Sequence, residues 1–67
     1  MAFAIIGRLE YDDEDTCIIV DMPTREHAKK EFRESLKSRL VRGDNRQIYI
    51  NYVLESDGRL EIVEQPY

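Results

Sequence analysis

The chain has 67 residues and a formal net charge of −4, with 42% hydrophobic and 36% charged residues, one cysteine and one histidine. A single domain of that size rarely draws more than roughly 3–5 kcal/mol from its core, so a disulfide, a metal or self-association commonly adds to it. The lone Cys17 excludes a disulfide within the chain, the lack of C-x-x-C or H-x-x-x-H spacing leaves no zinc set in one copy, and no apolar run approaches the roughly 18 residues of a membrane span.

From Ala2 to Tyr11, Phe3, Ile5, Leu9 and Tyr11 alternate with Ala4, Ile6, Arg8 and Glu10, with Gly7 interrupting the first set. Period two predicts a strand. The same N-terminal stretch, MAFAIIGRLEY, carries no basic leader, and the lone thiol suits a reducing compartment, so a soluble cytoplasmic protein is expected. TCIIVDM, from Thr16 to Met22, is rich in β-branched residues and predicts a second strand with Ile18, Val20 and Met22 on one face.

Between them stands DDED, Asp12 to Asp15. A four-residue loop pairs Tyr11 with Thr16, Leu9 with Ile18 and Ile5 with Met22, gathering the apolar residues on one side. The acidic run then lies at a solvated tip, where aspartates bond nearby backbone amides. It lacks the alternate carboxylates, bend glycine and distant glutamate of a calcium loop, so at most weak divalent-cation binding is expected there.

MPTREHAKKEFRESLKSRLVRG predicts a helix capped by Thr24 and ended by Gly43, with Ala28, Phe32, Leu36 and Leu40 as its apolar row. Residues 25–42 hold seven basic side chains against three acidic ones, so this segment is four positive and the rest of the chain eight negative. QIYINYVLE predicts the third strand, with Ile48, Ile50, Tyr52 and Leu54 facing the core. A fourth strand follows. A three-residue loop, Ser56-Asp57-Gly58 with Gly58 left-handed, would pair Leu54 with Leu60 and Tyr52 with Ile62 and keep those four on the core side. Pattern does not decide whether the tail residue Tyr67 docks on the sheet edge.

The class expected is α+β: ββαββ, a largely antiparallel four-stranded sheet with one helix packed on one face. One helix covers one face only. The uncovered face is expected to carry Ala4, Ile6, Cys17, Ile19, Tyr49, Val53 and Val63 among polar neighbours, more apolar than a wetted face needs to be. Exposed β-formers explain part of this; an interaction surface explains the rest. Ile6, Ile19, Tyr49, Val53 and Val63 are therefore the expected partner-binding residues, for a homodimer or for a larger protein.

Lys29, Arg33 and Lys37, with Lys30 beside them, form a basic flank of the helix that suits phosphate contacts, and nucleic-acid binding is the alternative reading. A solvated face balanced by acidic neighbours accounts for the same flank without a ligand. His27 has no evident acid or nucleophile partner, and Cys17, expected beside Glu10, sits next to a charge that opposes a thiolate. No catalytic residue, cofactor or metal is predicted. The function expected is a small non-catalytic regulator or adaptor that acts by protein–protein binding, including as an inhibitor of a larger enzyme.

Overall fold

In the structure, a computed structural model describing residues 1–56 and 60–65, the order is β1 (Ala2–Leu9), β2 (Thr16–Asp21), α1 (Arg25–Lys37), β3 (Ile48–Ser56) and β4 (Leu60–Glu64). The four strands form one antiparallel-paired sheet in the order β2-β1-β3-β4. β1 therefore lies between β2 and β3, the two strands joined through α1, and the helix rests over β1 with β2 and β3 on either side. This is the α+β, ββαββ arrangement with a single helix on one face, and it resembles a split β-α-β unit extended by a hairpin at each end.

α1 begins where the sequence marks it. Thr24 is extended, and its hydroxyl accepts the His27 backbone N–H at 3.2 Å. The end comes earlier than expected. Helical geometry stops at Lys37, not at Gly43, because Ser38 turns its hydroxyl back to the Ser35 carbonyl and the next amides bond three residues back, Arg39 to Leu36 and Leu40 to Lys37. Gly43 does adopt a positive φ of 89°, in the turn closed by the Asp44 N–H on the Val41 carbonyl.

Phe3, Ile5, Leu9, Ala28, Phe32 and Leu36 form the buried core, with Ile18, Val20, Met22, Leu40, Ile48 and Ile50 packed around them, as their periodicity indicates. Three expected core residues are on the other face: Tyr52, Leu54 and Ile62. Val53 replaces them, fully buried, and Val63 packs against the core as well. The cause is a β-bulge. Ile6 pairs with Tyr52 but Gly7 pairs with Ile50, leaving Asn51 as an extra residue on β3. Beyond that point the strand's alternation is reversed, so Ile48 and Ile50 face the helix from one side of the bulge and Val53 from the other. β4 follows β3 and turns Ile62 outward.

Registers also differ from expectation. Phe3 pairs with Val20 and Ile5 with Ile18, so the first hairpin is shifted four residues from the predicted pairing of Leu9 with Ile18, and β1 overhangs β2. In the second hairpin Leu54 pairs with Ile62 and Ser56 with Leu60, in place of Leu54 with Leu60 and Tyr52 with Ile62. A second bulge, at Val63, follows Ile62. Gly58 and Tyr67 lie outside the described residues, as does the side chain of Leu60.

The helix is further tied to the sheet by charge. Arg25 meets Glu55 at 3.5 Å and Glu64 at 3.6 Å, and Lys29 donates to Glu64 at 2.9 Å.

Candidate interaction surface

The pairings place an apolar row straight across the back of the sheet. Ala4 is flanked by Ile19 on β2 and Leu54 on β3, and Leu54 in turn by Ile62 on β4, so the row Ile19, Ala4, Leu54, Ile62 spans all four strands. A second row lies beside it: Cys17, Ile6 and Tyr52. Ile19 is 75% exposed and Ile62 53%, Leu54, Ile6 and Tyr52 are half-buried, and Ala4 between the larger side chains is buried, 6% exposed. Among the described residues no element covers either row.

Of the five residues expected to bind a partner, Ile6, Ile19 and Tyr49 are on this face. Val53 and Val63 are not: the reversed alternation beyond Asn51 buries Val53 among the core residues and turns Val63 toward them. Tyr52, Leu54 and Ile62 take their places. The signal was present in Gly7. A glycine inside a strand marks a bulge or a close backbone approach, and an added Cβ at Gly7 would stand 2.0 Å from the Tyr49 carbonyl oxygen.

The polar margin of the face is organised by the acidic loop. Asp15 accepts from the amide of Asn51, the bulged residue, at 3.2 Å and lies 4.0 Å from Arg8; Asp12 meets Arg46 at 3.4 Å. Asp15 thus ties the loop to the sheet and Asp12 ties it to the segment leading into β3, while Asp13 and Glu14 are exposed. Tyr11 carries the reversal, with φ of 73°. Among the described residues no three potential ligands converge on a metal position.

Tyr49 sits at this margin, 44% exposed, and donates its hydroxyl to Glu10 at 3.4 Å. Desolvation of the ring's flank and, after it, the charge and hydrogen bond of Glu10 hold its hydroxyl above the ordinary phenol range.

Cys17 is exposed on the back face opposite Ile6, not Glu10, because of the shifted register. His27 is exposed, its ring nitrogen against the Thr24 hydroxyl of the helix cap. The basic flank does not act as one row. Lys29 is only 16% exposed and engaged by Glu64 and Glu26, whereas Lys30, Arg33 and Lys37 have no ion-pair partner among the described residues. No helix among the described residues is long and apolar enough to cross a membrane. The chain matches no family model, no curated protein and no solved structure.

Proposed function

We propose that the protein is a small non-catalytic regulator or adaptor that works by protein–protein binding through the back of its sheet. One observation carries the reading: an unbroken apolar row across four strands, on a face that antiparallel sheets normally leave polar when it is wet.

The row also supports a specific occupant, a second copy of the chain. Two sheets stacked face to face about a two-fold axis parallel to the strands reverse the strand order of one against the other. Ile19 then meets Ile62, the small Ala4 offers a hollow to Leu54, and in the second row Ile6 meets Tyr52. Large side chains oppose a small one at the centre and aliphatics oppose aliphatics at the ends. The margin does not work against it, because Arg8 stands beside Asp15, and the terminal ammonium of Met1 bonds Asp21 at 3.1 Å.

Sedimentation velocity over a range of concentrations tests this reading. The wild-type chain is expected to associate in the micromolar range, and Ile19→Lys, which changes a residue 75% exposed, is expected to stay folded and monomeric. If both proteins behave as monomers throughout, the dimer is refuted. In that event the regulator reading survives only if a protein partner captured by wild-type chain is lost with Ile19→Lys. The net charge of −8 outside residues 25–42 favours such a partner having a basic docking site, as an enzyme with a cationic cleft would.

A further inference from the structure

Where α1 ends, the chain folds back over itself and leaves an open cleft of about 560 Å³ between the helix terminus and the entry to β3. Leu40, Val41 and Ile48 provide apolar wall, and Arg33, Lys37 and Arg42 provide charge. Arg46 and Asp44 also line it but neutralise each other: Arg46 donates to both carboxylate oxygens of Asp44, at 3.3 and 3.1 Å, and reaches Asp12 besides. Arg33, Lys37 and Arg42 have no acidic partner among the described residues.

Basic side chains at a helix C-terminus often serve the helix itself, by meeting its last carbonyls. Here those carbonyls are already bonded. Glu34 accepts from the Ser38 N–H, Ser35 from the Ser38 hydroxyl, Leu36 from Arg39 and Lys37 from Leu40. Three cations are thus left over, on one concave surface of a chain that is negative overall. A cleft with low-dielectric walls and one sign of charge concentrates ligands of the opposite sign.

We propose that this cleft is a binding site for a phosphorylated small molecule of about nucleotide size. A single carboxylate would leave most of the charge unmatched, whereas a phosphomonoester brings about −1.5 to −2 and a diphosphate more. Arginine forks such as Arg33 and Arg42 present paired donors that fit phosphate oxygens, and the apolar wall of Leu40, Val41 and Ile48 receives the body of the ligand. The volume falls inside the roughly 300–1,000 Å³ of small-molecule sites. The site is on the opposite end of the helix from Lys29 and does not use the back of the sheet, so it stands or falls apart from the dimer.

The test is an amide-resolved NMR titration of the ¹⁵N-labelled chain with inorganic phosphate, with adenosine diphosphate and with a short single-stranded oligonucleotide. The diphosphate is expected to shift the amides of residues 40–48 saturably and to bind at least about tenfold tighter than inorganic phosphate. Arg33→Gln with Arg42→Gln is expected to weaken it about tenfold or more, and Ile19→Lys to leave it unchanged. Should the paired variant fail to fold, the comparison of phosphate with diphosphate on the wild-type chain still decides. The proposal is overturned if the diphosphate gives no saturable shift in residues 40–48 or binds no tighter than inorganic phosphate. Insensitivity to the paired substitution overturns it too, as does a tighter hold on the oligonucleotide than on the diphosphate, which would make the cleft part of a nucleic-acid surface.

Discussion

Gly7→Ala puts the bulge to the sharpest test. An ideal Cβ there would lie 2.0 Å from the Tyr49 carbonyl oxygen and 3.0 Å from the Ile50 Cα, both backbone atoms of the neighbouring central strand. Neither atom belongs to a side chain that can rotate away, so β1 and β3 must separate by about 1 Å at the middle of the sheet, in an interior packed too tightly to absorb it. Loss of about two ladder hydrogen bonds at about 1 kcal/mol each, with about 1–3 kcal/mol of packing strain, makes the gross cost about 3–5 kcal/mol. The reduced freedom of the unfolded chain offsets about 0.4–1 kcal/mol of this. A net loss of about 2–4 kcal/mol compares with a total stability of about 3–10 kcal/mol for a chain of this length. Urea unfolding followed by far-ultraviolet circular dichroism reads the change. With a slope of about 1 kcal/mol per molar, the midpoint should fall by about 2–4 M, or the variant should be unfolded before urea is added. Gly43→Ala is the control. Its φ of 89° strains an alanine, but nothing lies within 4 Å of the new Cβ, so a smaller loss of about 1 kcal/mol is expected. A Gly7→Ala midpoint at or above that of Gly43→Ala would refute the bulge geometry.

Other consequences follow from the same geometry. Val53→Ala should cost about 2 kcal/mol and Ile62→Ala less than about 0.5 kcal/mol in the monomer, measured by urea unfolding of an Ile19→Lys background; the reverse ranking would restore unbroken alternation along β3. Spectrophotometric titration should find Tyr49 ionising above the ordinary phenol range, and Glu10→Gln should bring it forward. Because its pKa is raised on folding, the stabilisation linked to Tyr49 is present below the ordinary phenol pKa and is lost as pH rises through the higher folded value, so Glu10→Gln should make alkaline unfolding less steep. Glu64→Gln should remove about 1 kcal/mol by loosening Lys29 and Arg25 together, with a loss that shrinks in high salt, whereas a salt-independent loss would point to packing instead.

The order of elements was legible because each signal is local: alternation in Phe3, Ile5 and Leu9, the threonine cap before Arg25, and the four-residue spacing of Ala28, Phe32 and Leu36. Faces were legible only as far as alternation holds without interruption. Alternation sets the parity of a pairing but not its register, so a hairpin joining Ile5 to Ile18 and one joining Leu9 to Ile18 bury the same faces, and the tie of Asp15 to Asn51 that accompanies the observed one is not a local pattern. The inserted Asn51 reversed the rest of β3 and, through pairing, β4. Gly7 carried the warning, but a glycine in a strand signals close approach without naming the partner strand. The helix end was misplaced for a similar reason, since Ser38 and the amides after it satisfy the last carbonyls before Gly43 is reached. The basic cleft was legible only in part: Arg33 and Lys37 appear in sequence as a helix flank suited to phosphate contacts, and only the returning chain brings Arg42 and Ile48 beside them.

The back face is the central claim, and association measured directly is its test. Sedimentation velocity of the wild-type chain beside Leu54→Lys and Ile19→Lys should show a species of twice the monomer mass that grows with concentration and is abolished by either lysine, while both variants keep the wild-type circular dichroism spectrum. Monomers in all three samples up to high micromolar concentration would contradict the claim that this face is built to be covered by a second copy.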